Sequence, residues 1–366
     1  FFSVVSGADL SAKMHSGRPM ARPLLPARPF GACAFASVSK DWGKMKIAND
    51  ITELIGNTPM VRLNSVAKGC YGTVAAKLES FQPMNSVKDR AGLAMIECAE
   101  RDGLISPGKT VIVEATSGNT GIALAYIAAV KGYRLILTMP ATMSIERRCL
   151  LRAFGVEVVL TPGHMGMRGA KKKAEEIVRN TPDAFPTLQF ENPNNSNVHR
   201  MTTGPELWRD TCGQMDVFVC GVGTSGTLSG VASHFKEQGS KCRFVAVEPE
   251  ESAVLAGREP GAHKIEGIGA GFVPSLYDKS LVDEIMGISV ADACATAVNL
   301  AKQEGIFCGI SSGAAGKAAL DIARRPESAG KLIVFVVPSF GERYLTTVLF
   351  DKIRQEAVNL PVHDVD

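Results

Sequence analysis

From Ile47 onward, hydrophobic positions form short continuous runs separated by longer stretches of helical composition. Seven runs rich in apolar and β-branched residues predict strands, at 73–79, 110–115, 134–140, 157–162, 216–221, 243–248 and 331–337. Helical stretches are predicted to follow the strands, including one that ends near Lys131, one from Ser144 to Gly155 and one at 166–179. Near-continuous apolar strands separated by helices indicate an α/β fold with parallel sheets covered by helices on both faces.

Length and composition indicate a globular chain of two domains. The chain has 366 residues, of which 45% are hydrophobic and 21% are charged. No apolar run reaches the roughly 18 residues of a membrane-spanning helix, so none is predicted. Proline and asparagine cluster at residues 186–197, where the sequence predicts a domain boundary.

The net charge of +3 is too small to indicate nucleic-acid binding, and its source is the N-terminal segment. Residues 1–45 hold six basic and two acidic residues, which leaves 34 basic and 35 acidic residues in the rest of the chain. This segment is rich in Arg, Ser, Ala and Pro and lacks the apolar core of a secretory signal, so it predicts an organelle transit peptide. Two alternatives stay open: a disordered tail, and a transit peptide that begins at Met14.

Nine cysteines are spread along the chain, at positions 33, 70, 98, 149, 212, 220, 242, 294 and 308. They form no Cys-x-x-Cys pair and no Cys/His spacing suited to zinc, so no metal site is predicted. Cys220 and Cys242 fall in predicted strands. We therefore expect buried, reduced thiols and a reducing compartment.

The segment Ser86-Val87-Lys88-Asp89-Arg90 places a lysine in the first turn of a predicted helix. Ser86 is predicted to cap this helix, and Asp89 to complete a capping box. A helix N-terminus disfavours a nearby ammonium, and burial lowers its pKa further, so Lys88 becomes a usable nucleophile or base. A Schiff-base lysine needs this property. Taken alone, the same residues also fit a solvated first turn with an ion pair.

Residues 221–227 (GVGTSGT) combine three glycines with three hydroxyl residues, between a predicted strand and a helix. Glycines let the backbone approach an anion, and the N–H groups and hydroxyls around a helix start can bind phosphate. The stretch also contains G-x-G-x-x-G, and Glu248 ends the next strand, where dinucleotide-binding folds place a ribose-binding acid. An NAD-dependent oxidoreductase is therefore a remote alternative, although the many hydroxyls favour a terminal phosphate.

Three further segments have polar residues at the ends of predicted elements. Residues 116–121 (TSGNTG) follow a strand and open a helix, and their four polar side chains predict a nest for a carboxylate. The serines of 309–314 (GISSGA) precede an alanine-rich helix and are predicted to cap it. Residues 338–344 (PSFGERY) close the last strand and predict a turn into the final helix.

Together these segments resemble those of cysteine synthases of plant type, the O-acetylserine (thiol)-lyases, which are pyridoxal phosphate enzymes of fold type II. The resemblance extends from about Ile47 to Asp366. It implies a two-domain, tryptophan-synthase-β-like α/β fold. The resemblance divides the chain into three parts. A segment at 46–76 joins the larger domain, and a smaller mobile domain at 77–187 carries Lys88 and the substrate loop. The larger domain at 188–360 carries the phosphate loop.

The resemblance also implies a role for individual residues. Lys88 falls on the Schiff-base lysine, and Ser311 falls on the serine that meets the pyridine nitrogen. The phosphate loop G-T-G-G-T of the family appears as Gly223, Thr224, Ser225, Gly226 and Thr227. The substrate carboxylate is expected at the T-S-G-N-T-G loop and the glutamine of Q-F-E-N-P, that is, at Thr116, Ser117, Asn119, Thr120 and Gln189. In the family this asparagine also touches the cofactor.

The implied activity is β-replacement, in which O-acetyl-L-serine and sulfide give L-cysteine and acetate through an α-aminoacrylate. Lys88 would hold pyridoxal 5′-phosphate, remove the Cα proton and later return it. The implied partners are a second copy in a homodimer and the C-terminal tail of serine acetyltransferase, because residues 263–269 (HKIEGIG) resemble the family segment near that cleft. The predicted location is the chloroplast or, alternatively, the mitochondrion.

Two departures from the family pattern concern the phosphate loop and the second substrate. Ser225 replaces a glycine, so it bears strain if its φ angle is positive. Cys220 stands where synthases usually have Ser and the related β-cyanoalanine synthases have Met. Thr120 and Thr224 are synthase-like choices, whereas residues 80–83 (SFQP) look more like the cyanoalanine branch. Synthesis of β-cyanoalanine from cysteine and cyanide therefore stays open as an alternative.

Overall fold

The computed structural model describes residues 47–365 of the chain. The predicted transit peptide at 1–45 lies outside these described residues. From Ala48 the chain packs as one unit. Its strands are β1 Met60–Arg62, β2 Thr73–Leu78, β3 Val111–Ala115, β4 Arg134–Pro140, β5 Glu157–Thr161, β6 Ala184–Pro186, β7 Val217–Gly221, β8 Arg243–Pro249, β9 Glu284–Ile288 and β10 Leu332–Val337.

The strands form two separate sheets. The larger sheet has six strands in the order β1-β2-β10-β7-β8-β9. All of its pairings are parallel except β1 with β2, which is antiparallel at the sheet edge. The smaller sheet has four parallel strands in the order β5-β4-β3-β6. The parallel prediction is therefore confirmed for every pairing except the edge pair.

Alternating side chains of the large-sheet strands build a hydrophobic core on each face. On β10, which lies between β2 and β7, Ile333 and Phe335 pack into one core. Val334 and Val336 pack into the other. Successive side chains of a strand point to opposite faces, so a continuous apolar run is what a doubly covered strand requires.

The helices cover both sheets. Their bounds are α1 Lys88–Arg101, α2 Asn119–Lys131, α3 Ile145–Ala153, α4 Gly166–Asn180, α5 Asn194–Val198, α6 Gly204–Asp210, α7 Gly226–Glu237, α8 Val290–Glu304, α9 Ile310–Ala323 and α10 Asp351–Val358. A π-helical turn links α5 and α6 at His199–Thr203. Short 3-10 helices occupy Ile51–Leu54, Glu79–Phe81, Gly163–Met165, Glu250–Ser252, Lys279–Leu281, Pro326–Ser328 and Gly341–Tyr344.

The helices that carry polar loops at their N-termini pack on different sheets. Helices α1 and α2 contribute Met95, Ile96 and Ile122 to the core of the small sheet. Helix α9 contributes Ile310 and Ala314 to one core of the large sheet, and α7 contributes Val231 to the other. This packing brings the N-termini of helices from both sheets toward one region.

The predicted α/β architecture is confirmed, and the seven predicted strands all form, with bounds shifted by at most one residue. The sequence pattern missed β1, β6 and β9, of which β1 and β6 have three residues each. The prediction of a helix after residues 243–248 was wrong. There the chain enters a short 3-10 helix and then an irregular segment that extends to the next 3-10 helix at Lys279–Leu281.

Two predicted helix caps were wrong. The N-cap of α1 is Val87 in a helical conformation, and Ser86 Oγ lies 3.4 Å from the Lys88 N–H. Asp89 accepts a bond from the Met84 N–H at 2.6 Å instead of completing a capping box. Helix α9 already begins at Ile310, so Ser311 lies inside its first turn rather than at the cap.

The cysteines of the described part of the chain are all free. Cys220, Cys242 and Cys308 are buried, whereas Cys149 and Cys212 are exposed. Among the described residues, no helix combines the length and the apolar character needed to cross a bilayer.

Candidate active site

Lys88 lies at the carboxyl end of the large sheet because the segment before α1 is tied to the end of β10. The Val87 N–H donates to the Pro338 carbonyl at 2.9 Å, and Ser86 forms a β-bridge with Ser339. These contacts turn the first residue of α1 into a cavity that is lined by Asn119, the 223–227 loop, Ser311, Cys220 and Tyr344. Functional residues at the carboxyl ends of parallel strands are the expected arrangement of an α/β fold.

The environment of Lys88 favours an uncharged amine. Lys88 keeps some accessible surface, but the protein packed around it removes enough water to lower the pKa of its ammonium group. Cys220 lines the same cavity, and only its thiolate form would oppose this shift. Burial raises the pKa of Cys220 to about 12, so this thiol stays protonated at neutral pH.

The 223–227 loop is a close-packed connection between β7 and α7. A Cβ atom on Gly223 would lie 2.4 Å from the Gly267 carbonyl oxygen, and one on Gly226 would lie 2.2 Å from Asn195 Oδ1. Side chains are therefore excluded at both glycines, and the loop backbone itself borders the cavity. The twelve-residue helix α7 starts at Gly226, so its free N–H groups lie where an anion can bind.

Two loop hydroxyls are held by buried polar side chains. Asn195 Nδ2 donates to Thr224 Oγ1 at 2.9 Å. Thr227 Oγ1 lies 3.2 Å from Nε2 of His199, whose Nδ1 contacts Thr203 Oγ1 at 2.8 Å. Burial and the charge of Arg90 lower the pKa of His199 to about 3, so its ring is neutral. Asn195 and His199 were not predicted from the sequence, since neither lies in a recognisable motif.

Ser225 adopts the left-handed conformation, with φ of +70°. The backbone at Ser225 is therefore strained, as expected for a residue other than glycine at a positive φ. Its Oγ lies 3.0 Å from Ser229 Oγ, and Ser229 donates to the Leu276 carbonyl at 2.8 Å. The hydroxyl that replaces a glycine is thus hydrogen-bonded to the first turns of α7.

We expect Ser225→Gly to be more stable than Ser225→Ala by about 1 kcal/mol, because both variants lose the hydroxyl and only glycine tolerates the left-handed backbone. Urea denaturation of both variants measures the difference. At Ser233, inside α7, the same pair of substitutions should give the opposite order, because glycine disfavours a helix interior. Equal stabilities of the two Ser225 variants would contradict this account of strain.

The 116–121 loop is folded against Gln189. Thr120 Oγ1 donates to Gln189 Oε1 at 2.6 Å, and both residues are buried. Thr116 Oγ1 accepts a bond from the Gly118 N–H at 3.2 Å. Ser117 is half-buried and Asn119 begins α2. The predicted carboxylate site is therefore a set of neighbouring polar groups, in which Thr120 and Gln189 are already paired.

Arg343 and Tyr344 hold the side chain of Asn119. Arg343 Nη1 donates to Asn119 Oδ1 at 2.9 Å, and Arg343 Nη2 donates to the Met84 carbonyl. Asn119 Nδ2 lies 3.5 Å from the Tyr344 hydroxyl, which lies 2.8 Å from Ser339 Oγ. From the sequence, residues 338–344 were predicted only as a turn, although charged and aromatic residues at a strand end are a usable signal of function.

The cavity brings together Lys88, Asn119, the 223–227 loop and Ser311. Thr116, Ser117, Thr120 and Gln189 are not among its lining residues and lie beyond Asn119 along the same loop and its partner segment. Glu248 does not behave as a free ribose-binding acid, because its carboxylate accepts bonds from the N–H groups of Leu255 and Ala256 at 2.7 and 3.0 Å.

Comparison with known proteins decides the family. The family model of pyridoxal-phosphate dependent enzymes matches residues 51–339. Cysteine synthase A of Escherichia coli (strain K12) is 53% identical over 314 residues, covering 83% of this chain and 96% of that protein. The chain belongs to the cysteine synthase family of pyridoxal-phosphate dependent enzymes.

Relatives in other organisms and in solved structures agree with this membership. Cysteine synthase 3 of Caenorhabditis elegans is 49% identical over 86% of this chain and 93% of that protein. The crystal structure of cysteine synthase from Entamoeba histolytica is similar with a TM-score of 0.81 and 46% identity, over 88% of this chain and 94% of the other. The cysteine synthase fold of this chain is therefore shown, and so is its dependence on pyridoxal phosphate.

The residues of the cavity fit this cofactor. A phosphorylated aldehyde needs an uncharged amine for its carbonyl, and Lys88 has a lowered pKa. It needs N–H and hydroxyl donors for its phosphate, which the loop before α7 supplies. Asn119 and Ser311 add two uncharged polar groups to the same cavity. The donor set is thus that of a phosphate-binding, amine-bearing site rather than of a dinucleotide site.

Proposed function

We propose that this protein is a cysteine synthase that converts O-acetyl-L-serine and sulfide to L-cysteine and acetate. The single observation that carries the proposal is the cavity in which Lys88 lies together with Asn119, the 223–227 loop and Ser311. The similarity to proteins named cysteine synthase over most of their length supports the same reaction.

In this proposal Lys88 first holds the cofactor and then acts as base and acid. Because its pKa is lowered, Lys88 gives up its proton more readily than an ordinary lysine, and the uncharged amine can remove the proton from Cα of O-acetylserine. The bound pyridoxal phosphate supplies the electron sink that makes this proton acidic. After acetate leaves and sulfide adds at Cβ, the protonated Lys88 returns the proton to Cα.

Ser311 is proposed to select elimination over other reactions of an amino acid. A serine hydroxyl carries no negative charge, so it does not stabilise a protonated pyridine nitrogen as a carboxylate would. Beside bound pyridoxal phosphate, Ser311 would therefore leave a weaker electron sink than a carboxylate would, which would favour prompt loss of the Cβ substituent over reprotonation elsewhere. Buried Ser311, in the first turn of α9, faces this cavity.

The substrate carboxylate is proposed to bind at the start of α2. This position offers the polar groups of Thr116, Ser117, Asn119 and Thr120, with Gln189 alongside Thr120. The N-terminus of the thirteen-residue helix α2 adds a favourable potential for an anion. Binding here would place Cα of the substrate on the side of the cavity where Lys88 lies.

We expect Arg343→Ala to weaken pyridoxal phosphate binding about tenfold, because the loss of a charge-assisted bond frees the Asn119 amide to rotate. Titration of the cofactor-free protein with pyridoxal phosphate, followed by absorbance, measures the dissociation constant. Arg324→Ala removes an exposed arginine at the end of α9 and should leave the dissociation constant for pyridoxal phosphate unchanged. Unchanged affinity in Arg343→Ala would contradict the role given to this contact.

The proposed function is tested by an assay of the purified, cofactor-loaded protein with each pair of substrates. We expect cysteine from O-acetylserine and sulfide at a rate well above the rate of β-cyanoalanine formation from cysteine and cyanide. Faster turnover of cysteine and cyanide would overturn the choice of co-substrate while leaving the cofactor assignment in place. No turnover with either pair would overturn the enzyme proposal.

We further propose a homodimer and a complex with the C-terminal tail of serine acetyltransferase. Support for the second comes from Gly267 and Ile268, which line the cavity within the 263–269 segment. A peptide tail in the cleft would therefore contact residues beside the phosphate loop. The plant-type resemblance, the division into domains at 77–187 and 188–360, and the chloroplast or mitochondrial location stay predictions.

A further inference from the structure

A buried glutamate lies directly before the 116–121 loop and has no role in the chemistry described above. Glu114 is the fourth residue of β3, and its neighbours Ile112 and Val113 on that strand are completely buried. Carboxylates are seldom buried without partners, because removing the charge from water costs several kcal/mol. The partners of Glu114 therefore indicate what this residue is for.

All the recorded partners of Glu114 come from the segment that ends at Gln189. The Thr187 hydroxyl and the Leu188 N–H donate to Glu114 Oε2, the latter at 2.9 Å. Gln189 Nε2 donates to Oε1 at 3.4 Å. Burial raises the pKa of Glu114, and these hydrogen bonds oppose the rise. Three donors from this one segment therefore converge on the two oxygens of the Glu114 side chain.

The backbone of this segment is bent at a residue that does not favour the bend. Leu188 has φ of +54°, a left-handed conformation that is unfavourable for a bulky side chain. The Glu114 carboxylate accepts the N–H of this residue. On the far side, Asn195 Nδ2 donates to the Gln189 carbonyl at 2.7 Å. Gln189 is thus held from both sides in a turn that its own sequence does not favour.

The contact also determines which way the Gln189 amide faces. A carboxylate only accepts hydrogen bonds, so the Nε2 end of Gln189 faces Glu114 and the Oε1 end faces Thr120. Thr120 then donates its hydroxyl proton to Oε1 at 2.6 Å. Nε2 has two N–H groups and, among the described residues, one recorded acceptor. The second N–H stays available for an anion at the start of α2.

We propose that Glu114 is a positioning residue for substrate binding, which fixes the turn at Leu188 and the amide orientation of Gln189 so that Gln189 and Thr120 receive the substrate carboxylate. This inference rests on the proposed function, because it concerns the same carboxylate site. Glu114 acts through Gln189 and is not among the residues that line the cavity around Lys88.

The test is the Glu114→Gln variant, which keeps the shape of the side chain but replaces one acceptor oxygen by an amide donor. The remaining oxygen of the variant side chain can still accept bonds from Thr187 and Leu188. Its new NH2 group then faces Gln189 and favours the reversed orientation of the Gln189 amide. We expect the KM for O-acetylserine to rise about tenfold, which corresponds to the loss of one charge-assisted hydrogen bond. The kcat should stay within about twofold of the wild-type value. The KM for sulfide should not change.

Glu157→Gln is the matched control. Glu157 lies on the edge strand of the same sheet and forms an exposed ion pair with Arg134 at 2.6 Å. Such a pair contributes little, so both KM values should equal those of the wild-type protein. A lower kcat or lower stability in Glu114→Gln with an unchanged KM for O-acetylserine would assign Glu114 a structural role only and overturn the proposal.

A double-mutant cycle separates positioning from general damage. In a Gln189→Ala background, Glu114→Gln should raise the KM no further, because the residue through which Glu114 acts is gone. Fully additive effects would overturn the proposal. If Glu114→Gln does not fold, Thr187→Val removes one donor to the carboxylate, and we expect about a threefold higher KM. An unchanged KM for O-acetylserine in Thr187→Val would then overturn the proposal.

Failure of this inference and failure of the proposed function give different results. Wild-type protein that does not turn over O-acetylserine and sulfide contradicts the function itself. Wild-type activity with an unaltered KM in the Glu114 and Thr187 variants contradicts only the positioning role.

Discussion

We expect Lys88→Ala to lower kcat for cysteine formation by about 10³-fold, because the same amine holds the cofactor and moves the Cα proton. The absorbance of covalently bound cofactor should be lost, while the noncovalent contacts of the 223–227 loop and Asn119 remain available. The measurement is steady-state turnover of O-acetylserine and sulfide, together with the absorbance spectrum of the purified variant.

Lys88→Arg is the companion variant, which keeps a long basic side chain. It places a permanent cation in the first turn of α1 and supplies neither an uncharged amine nor a base at neutral pH, so its kcat should fall as far as that of Lys88→Ala. Lys131→Ala removes a half-buried lysine at the end of α2; burial lowers its pKa, but its ion pairs with Glu100 and Glu97 outweigh burial and raise it. That variant should keep wild-type turnover. Full turnover by Lys88→Ala would contradict the assignment of Lys88.

We expect Arg90→Leu to lower the free energy of unfolding by about 3–5 kcal/mol. Arg90, two residues after Lys88, is buried and pairs with Glu79 at 2.8 Å and with Glu206 at 2.7 Å. Glu206 also accepts a bond from buried Lys77 at 2.9 Å. Removal of the guanidinium leaves the Glu79 carboxylate without its main cation, and a buried unpaired charge is strongly destabilising.

Urea denaturation measures this loss, and Arg101→Leu is the control at the other end of α1. Arg101 is 68% exposed and pairs with Asp102 on the surface, so its removal should cost well under about 1 kcal/mol. An Arg90→Leu variant as stable as the Arg101→Leu variant would contradict a stabilising role for the buried ion pairs.

The pH dependence of stability provides an independent check on the same ion pairs. Burial opposes ionisation of Glu79, but the charge and hydrogen bonds of Arg90 outweigh it and lower the pKa of Glu79 from its ordinary 4.5 to about 2. The contribution of Glu79 is therefore complete above pH 4.5 and is lost as the pH falls from 4.5 toward 2. This loss should be smaller in Arg90→Leu, where ionised Glu79 has lost its main partner.

The site residues that could be predicted from the sequence lie in short segments at element ends. Lys88, the 116–121 loop and the 223–227 loop all follow a strand and open or precede a helix, and although these strands belong to two sheets, Lys88, Asn119 and the 223–227 loop border one cavity. Ser311 was found by resemblance, because its position inside the first turn of α9 looks like an ordinary cap from the sequence. Ser225 was identified as a strain site from one glycine replacement.

The residues that the sequence analysis missed act across long sequence separations. Arg343 contacts Asn119 over 224 positions, and Glu114 reaches Gln189 over 75. Local periodicity carries no information about such pairs. A signal was nevertheless present, since Glu114 and Lys77 are charged residues inside apolar strands, where an uncompensated charge is costly.

The errors in the fold prediction have similar physical causes. Strands β1 and β6 have three residues each and are too short for a period-2 pattern. The antiparallel direction of β1 depends on its pairing with β2, which no local pattern specifies. At Ser86 and Asp89, contacts with the segment just after β10 and a bond from the Met84 N–H replaced the capping box that the local sequence favours.

The most direct test of Lys88 as the cofactor lysine is mass spectrometry of the cofactor-loaded protein after reduction with borohydride. Reduction makes the bond between cofactor and lysine permanent, so the modified residue can be located in a peptide digest. We predict the phosphopyridoxyl group on Lys88 alone. Modification of another lysine, or no modification of a protein that turns over O-acetylserine and sulfide, would contradict the account.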